Sequence, residues 1–443
     1  MFKRILGYQT LLVVVIFAGS WGVALWSWRD HYRLPTAQEI VTHFLMIPTA
    51  LCLGYWGLYQ SVEWLKRRRS GVTEALAGTG PSSNTKPALP LQIRDWSIQL
   101  PVGDEPATVF EALKARERPA LHPTLKDANG FPRRIAWVDT LSTEDFIESG
   151  QAHPLPIDVR RALLLALEVL EPLLMRHVER EFLDTLEPQA PLPVHFIVPA
   201  RWSTDTQAAA RQWLVSALAP FSESGLECAV LVSSAADTRQ VLSFLEQLRR
   251  AETLEADNAQ QVVVAADSFI QDQTYAGPLP EASGEGACAL LIAQGLLPAA
   301  STPQAVIVHP FDSEQRTQSV DLPGQARSPA LQQLLQPYSA GPTRIGAVFI
   351  DAAPHTSRQT ELLAAVHATL PDLDPISECL SLPMCCGEMG PVTSLVSLAL
   401  AASNSLETQQ DCLLVSMYDP LWRAVCHIQP SPPPAQKPLQ DFA

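Results

Sequence analysis

The chain lacks an excess of basic residues. It contains 31 Lys and Arg against 46 Asp and Glu in 443 residues, a formal net charge of −15 at pH 7. Nucleic-acid-binding proteins present a basic face to the phosphate backbone. The charge therefore argues against nucleic acid as a partner, and the dispersed acidity is interpreted as serving solubility.

Paired cysteine motifs are also missing. Eight cysteines are scattered along the chain, and none of those after the first 69 residues forms a CxxC pair with a matching partner pair. This pattern predicts reduced, mostly buried thiols rather than a disulfide framework. Cys379, Cys385 and Cys386 are candidate metal ligands, but no histidine lies at ligand spacing, so core or loop thiols are the preferred interpretation. No metal ion or cofactor is predicted.

Two long runs near the N-terminus contain no Lys, Arg, Asp or Glu. They cover residues 10–28 and 41–60. Each is long enough, at about 1.5 Å per residue, to cross a hydrocarbon core of about 30 Å. No small-x-small cleavage site ends the first run, which favours an uncleaved anchor over a signal peptide. Residues 1–69 are therefore predicted to form a two-helix transmembrane hairpin.

Basic residues in the short flanks predict the orientation of this hairpin. Lys3 and Arg4 precede the first run, and Lys66–Arg69 follow the second, whereas the loop between the runs holds only Arg29 and Arg33. Basic flanks stay on the cytoplasmic side of a membrane. The sequence thus predicts a two-pass protein of the bacterial inner membrane, with everything after the second run in the cytoplasm.

The remaining sequence has the composition of a linker, a large folded region and a tail. Residues 70–90 are rich in Gly, Ser, Thr and Pro and predict a flexible linker, and residues 431–443 predict a Pro-rich tail. Between them, apolar strand-like runs alternate with amphipathic helical ones, which predicts α/β layers with helices covering a mixed sheet. We divide this region into an N-terminal α/β module, 91–190, and a second domain, 191–430.

Three stretches of the second domain resemble, in order, segments of the thiolase and β-ketoacyl synthase superfamily. They are GEGACALLIA (Gly284–Ala293), the run IGAVFIDAAPHTSRQT that begins at Ile345, and CCGEMGPVTSLVSLALA (Cys385–Ala401). The resemblance covers roughly residues 193–428. It implies a thiolase-like fold of layered mixed sheets and helices.

The chain departs from that superfamily at each reactive position. The chemistry of the superfamily needs a nucleophilic cysteine at a helix N-terminus and two histidines. This chain has Ser233–Ala236 in the first position, Asp351–Thr356 in place of a His-Gly-Thr motif, and Gly387-Glu388 in place of Gly-His. We therefore assign no catalytic, cofactor-binding or metal-binding residue, and predict that the protein is not an enzyme.

One catalytic alternative uses serine. Ser233 or Ser234 with His355 would make a serine acyl transferase, although no GxSxG elbow positions either hydroxyl. His195 and His427 fall inside strand-like runs, where hydrogen-bonded core histidines are more common than catalytic ones. The preferred interpretation is a scaffold that has kept its shape and lost its reactive groups.

Two N-terminal spans, a linker and a degenerate thiolase-like domain together resemble the type VI secretion lipase-adaptor family. The stretches AADSFIQDQTYAG, GEGACALLIAQGLLP and MCCGEMGP carry this resemblance. It implies a non-catalytic adaptor that binds a phospholipase effector in the cytoplasm and loads it onto the secretion spike. Thiolase-like domains also commonly form homodimers. An acyl-transfer enzyme and a cell-envelope scaffold remain as alternatives.

Overall fold

A computed structural model describes much of the chain from Pro90 onward. The described residues are Trp21, 90–126, 130–143, 146, 155–182, 191–250, 260–270, 282–294, 305–316, 319–321, 329–339, 344–352 and 355–431. Apart from Trp21, the predicted hairpin 1–69 lies outside them, as do residues 70–89 of the linker and 432–443 of the tail. No helix within these ranges has both the length and the apolar composition needed to cross a bilayer.

The chain divides into two units, Met1–Lys86 and Pro87–Ala443, and strands alternate with helices along the second. Its first part contains β1 (Leu91–Gln99), α1 (Pro106–Ala115), β2 (Leu121–Lys126), β3 (Pro132–Ala136), α2 (Ile157–Phe182), β4 (Leu192–Pro199), α3 (Thr204–Glu223), β5 (Cys228–Ala235), α4 (Thr238–Arg250), β6 (Gln260–Asp267), β7 (Ala282–Gly284) and β8 (Gly286–Gln294). Its second part contains β9 (Val306–Val308), β10 (Asp312–Gln315), α5 (Ala330–Leu335), a 3₁₀ turn (Gln336–Tyr338), β11 (Ile345–Ile350), α6 (Thr356–Thr369), β12 (Cys379–Ser381), α7 (Pro383–Cys386), α8 (Val392–Thr408), β13 (Asp411–Ser416) and β14 (Trp422–Pro430).

Both parts arrange five strands in the same spatial order. In the first part the order is β5-β4-β6-β8-β1, and in the second it is β12-β11-β13-β14-β9. Counted along the chain, each is third, second, fourth, fifth, first, and in each the fifth strand runs antiparallel to its neighbours. The described part of the chain is therefore an internal structural repeat, whose halves join where β1 pairs with β9.

The predicted modules 91–190 and 191–430 share this sheet. β1 of the first module pairs with β8 and β9 of the second, and α2 packs on β6 and β8. A smaller sheet, in the order β2-β3-β7, continues from the start of β8. The predicted α/β architecture, a mixed sheet covered by helices, is confirmed.

Alternate residues of the strands face different apolar layers. One layer lies between the two halves and buries α1, α4 and α8. A second packs α2 and α3 on the outer face of the first half, and a third packs α5 and α6 on the second half. Strands with apolar neighbours on both faces need nearly continuous apolar sequence, which explains runs such as β6 and β8. Helix α8 is buried along most of its length because it lies in the middle layer.

Candidate functional site

The candidate site lies at the carboxyl ends of the strands, the edge where open α/β sheets bind ligands. Asp351 follows β11, Ser416 ends the neighbouring β13, and Met417 comes next. Thr238, the first residue of α4, approaches from the other half. The site therefore combines residues from both halves of the repeat.

Asp351 is the centre of this site and is only 1% exposed. Its Oδ2 accepts a hydrogen bond from Ser416 Oγ at 2.6 Å, and its Oδ1 accepts one from the Met417 backbone N–H at 2.7 Å. The Thr238 hydroxyl and the Tyr418 backbone N–H also donate to it. Burial raises the pKa of Asp351, and these four donors oppose the shift. The carboxylate is thus saturated by groups of the protein itself.

Glu388, which the sequence resemblance places in the second catalytic-histidine position, forms a pair with a tyrosine. The Tyr418 hydroxyl donates to the Glu388 carboxylate. Burial raises the pKa of Glu388, while the Tyr418 hydrogen bond and the charge of Arg358 lower it. Burial and the nearby carboxylate raise the pKa of Tyr418 to about 12. Tyr418 therefore remains a neutral donor, and Glu388 acts as an acceptor.

Two glycines allow the Glu388 turn to approach the small sheet. The Gly284 N–H donates to the Glu388 carbonyl and the Glu388 N–H donates to the Ala282 carbonyl, both at 3.0 Å. A Cβ atom on Gly284 would lie 1.8 Å from the carbonyl oxygen of Cys386. Gly387 has φ = +67°, and a Cβ there would lie 2.5 Å from the Ser283 backbone. The GEGA and CCGEMG stretches are therefore packed directly against each other.

The N-terminus of α4 is capped by its own side chains. The Gln240 N–H donates to Asp237 Oδ1 at 3.0 Å, and Gln240 Oε1 accepts from the Ala236 N–H at 2.9 Å. Asp237 therefore caps the helix, while Gln240 reaches back to the residue before the cap rather than to the cap itself, as it would in a capping box. Asp237 thus already engages one backbone donor of this helix N-terminus, the Gln240 N–H.

The serine alternative requires Ser233 or Ser234 to lie beside His355, and the structure places the serines and the histidine on different elements. Ser233 and Ser234 lie within β5, an end strand of the large sheet, and pair with residues of β4. His355 is exposed, and its Nδ1 lies 2.7 Å from Ser357 Oγ and 3.2 Å from Asp321 Oδ1. The hydrogen bonds that the described residues give His355 thus go to neither strand serine.

The two strand histidines are hydrogen-bonded, as predicted. His195 Nε2 lies 3.0 Å from Gln261 Oε1, and His427 Nε2 lies 2.7 Å from Asp411 Oδ2. Both histidines are half-buried in strands. Their partners fix the ring orientations, which fits a structural role.

Thiol chemistry is opposed by burial. Burial raises the pKa of Cys228 and Cys412 to about 11 and that of Cys379 to about 12. The Cys385 and Cys386 sulfurs lie 3.5 Å apart and are buried, which confirms that they are core thiols. Within the described ranges, no three His, Cys, Asp or Glu side chains are grouped to hold a metal ion.

A small cavity adjoins Asp351. Its volume is about 210 Å³, and its walls include Ile350, Leu380 and Met384. Arg116 and Arg358 also line it. Ligand pockets for drug-sized molecules typically occupy about 300–1,000 Å³, whereas an apolar cavity of about 150 Å³ holds benzene. The space therefore suits one large side chain.

Sequence reasoning located part of this site. It found Gly387-Glu388 and Asp351 from the family resemblance, but missed Thr238 and Tyr418. The available signal was the position of these residues in the sequence. Thr238 follows the two-residue turn after β5, and Tyr418 comes two residues after the end of β13. Polar residues at carboxyl ends of parallel strands meet at one edge.

No protein-family model matches the chain, and a search of curated proteins finds no match. Among solved structures, the chain is similar to the ishigamide ketosynthase/chain length factor, with a TM-score of 0.49 and 14% identity over 77% of this chain and 99% of that chain. It is also similar to the acyltransferase ChlB3 (0.44, 13%, 78% and 99%) and to OleA of Xanthomonas campestris (0.40, 10%, 77% and 99%). These similarities concern the fold alone, and they do not bear on the predicted secretion role.

Proposed function

We propose that the protein is a non-catalytic, membrane-anchored adaptor that binds a phospholipase effector and loads it onto a type VI secretion spike. The family resemblance motivates the partner and the predicted hairpin motivates the anchor. The saturated Asp351 site carries the non-catalytic part of the proposal. Asp351, which the resemblance places in a reactive motif, is buried and accepts from four internal donors, so its carboxylate is already occupied within the fold.

Electrostatics at the same site support binding over reaction. Acyl transfer needs a nucleophile with a lowered pKa and donors for the developing oxyanion. At this edge, Asp351 and Glu388 accept hydrogen bonds from the protein's own donors, which are therefore not free to stabilise an oxyanion. Asp237 adds a third carboxylate at the start of α4. This chemistry favours a scaffold role.

Co-purification of the full chain tests the proposal. The chain, tagged and extracted in mild detergent from cells that express the secretion system, should retain a lipase-type effector at stoichiometric yield. The matched control is the same extraction from cells deleted for the effector. Recovery of the full chain alone from secreting cells would contradict the adaptor function.

Covalent labelling separates the adaptor from an acyl-transfer enzyme. Incubation with radiolabelled acyl thioesters should leave the chain unlabelled, because burial raises the pKa of most of the described cysteines. Label that disappears in Ser234→Ala or His355→Ala would overturn the non-catalytic assignment. A recovered envelope protein other than a lipase would favour the cell-envelope scaffold.

A further inference from the structure

A basic segment interrupts the acidic chain next to the candidate site. Residues 114–134 contain six Lys or Arg and two acidic residues, whereas the whole chain carries a net charge of −15. Lys126 and Arg118 are exposed, and so is Arg134, which donates to the Pro119 carbonyl at 2.9 Å. The segment spans the end of α1, β2 and β3. It is a local reversal of surface charge.

Exposed apolar side chains accompany these cations. Phe131 is 67% exposed and Leu121 is 54% exposed, both on the basic segment. Ile376, also 67% exposed, is tied to the segment because Arg116 Nη2 donates to its carbonyl at 2.9 Å. Ile376 also lines the 210 Å³ cavity. Large exposed apolar groups close together mark interaction surfaces.

The surface is held rigidly by the fold. β3 pairs in parallel with β7, and β7 exchanges two backbone hydrogen bonds with Glu388. The Val138 N–H beyond β3 donates to the buried carboxylate of Glu285 at 2.8 Å. A preorganised surface loses little conformational entropy when a partner binds. The basic segment therefore has the properties of a docking platform.

We propose that residues 114–126 and 130–134, together with Ile376, form the docking surface for the effector, which would present an acidic region bearing a large apolar side chain. This inference rests on the proposed adaptor function. Charge complementarity selects the acidic partner. The cavity beside Ile376 provides a volume of about 210 Å³ for one apolar anchor, the kind of contact that dominates protein interfaces.

Within the folded unit, the basic surface lies far from Leu91, the first residue of β1. The chain enters the folded unit at Leu91, and β1 runs from there to Gln99, which pairs with Ala287 beside β7. At about 3.3 Å per residue, the nine residues of β1 separate the two ends by about 30 Å. The basic surface thus lies at the end of β1 away from the incoming chain.

Reversing two charges of this surface, in the full-length chain, tests whether the co-purified effector binds there. Arg118→Glu combined with Lys126→Glu should weaken binding at least about tenfold at low salt and flatten its salt dependence. Neither side chain has a described hydrogen bond, so the sheet should keep its fold. Arg211→Glu with Arg250→Glu makes the same charge change on α3 and α4, and should change the affinity less than about twofold.

The outcomes distinguish this inference from the proposed function. Effector binding by the wild type together with equal binding by Arg118→Glu/Lys126→Glu would overturn the surface and leave the adaptor function intact. Loss of binding by both double variants alike would also overturn it. If the wild type binds no effector, both proposals fail.

A second experiment tests whether this surface binds the membrane instead, by measuring hydrogen exchange of the full chain in nanodiscs. Protection of residues 118–134 by the effector, in neutral and anionic lipid alike, would support the proposal. Protection that depends on anionic lipid and not on the effector would assign the surface to the membrane and overturn it. Phe131→Ser should weaken effector binding while leaving its salt dependence unchanged.

Discussion

Removing the Asp351 carboxylate should destabilise the fold and leave effector binding intact. The carboxylate satisfies two backbone N–H groups, those of Met417 and Tyr418, and two hydroxyls. In Asp351→Ala the hydroxyls can rotate to new acceptors, but the two buried N–H groups cannot. Each unsatisfied buried donor costs about 1–3 kcal/mol. The variant also no longer has to desolvate a carboxylate on folding, which offsets part of this cost. We therefore expect the free energy of unfolding to fall by about 3 kcal/mol.

Urea unfolding of the full chain in detergent, followed by tryptophan fluorescence, measures this loss. The midpoint should fall while the slope with urea stays constant, because the surface exposed on unfolding does not change. Asp372→Ala is the matched control, since Asp372 is exposed, and it should shift the free energy of unfolding by less than about 0.5 kcal/mol. Asp351→Asn keeps one acceptor oxygen, so its loss of unfolding free energy should lie between those of Asp351→Ala and Asp372→Ala.

Two results would refute the reasoning. A loss for Asp351→Ala no larger than that of the control would mean that the four donors are satisfied elsewhere. A folded Asp351→Asn protein that loses an acyl-transfer activity of the wild type would make Asp351 a catalytic residue.

Three further predictions follow from the same geometry. Gly284→Ala should lower the free energy of unfolding by about 2–3 kcal/mol, measured by urea unfolding, because its Cβ would overlap the Cys386 carbonyl. Burial raises the pKa of Glu388 above its ordinary 4.5, so the folded state favours its neutral form and stability falls as pH rises above about 4.5. Glu388→Gln should therefore be more stable relative to wild type at pH 7.5 than at pH 4.5, and an equal difference at both pH values would contradict this. Cys228 and Cys412, with pKa values of about 11, should react with a disulfide reagent at pH 7.5 at least about tenfold more slowly than glutathione, and freely in urea.

Much of the fold could be predicted because its central elements carry strong periodic signals. The continuous apolar runs of β6 and β8 and the helical spacing in α2 predict elements that the structure contains within a few residues. β12 and α7 are three and four residues long, and such short elements show no period. The repeated strand order was also beyond sequence reasoning, because pairing between distant strands leaves no local pattern.

The sequence could predict which reactive residues the candidate site lacks, but not which of its residues contact each other. Comparison with a family motif predicts that Glu388 stands in place of a histidine. It does not show that Tyr418 donates to Glu388, or that Thr238 reaches Asp351 from the other half. These contacts depend on the meeting of α4 with β11 and β13, which only the three-dimensional packing determines.

The internal repeat places a buried, hydrogen-bonded aspartate near the strand ends of each half. In the first half, Asp267 ends the fourth strand and accepts hydrogen bonds from Arg201, just beyond the second strand. In the second half, Asp351 follows the second strand and accepts from Ser416, at the end of the fourth. Both carboxylates are almost fully buried.

A buried carboxylate therefore closes the strand ends of each half. Asp267 is held by Arg201 of its own half, and Asp351 accepts from Ser416 of its own half and from Thr238 of the other. Both closures flank the Glu388 turn, since a Cβ on Gly390 would lie 2.7 Å from Asp267 Oδ2 and the charge of Asp351 acts on Glu388. Opening either crevice to a substrate would leave buried donors unpaired, at about 1–3 kcal/mol for each. A partner that docks on the exposed cations and apolar groups beside the turn incurs no such cost, and for that reason the outer surface is the favoured place for recognition.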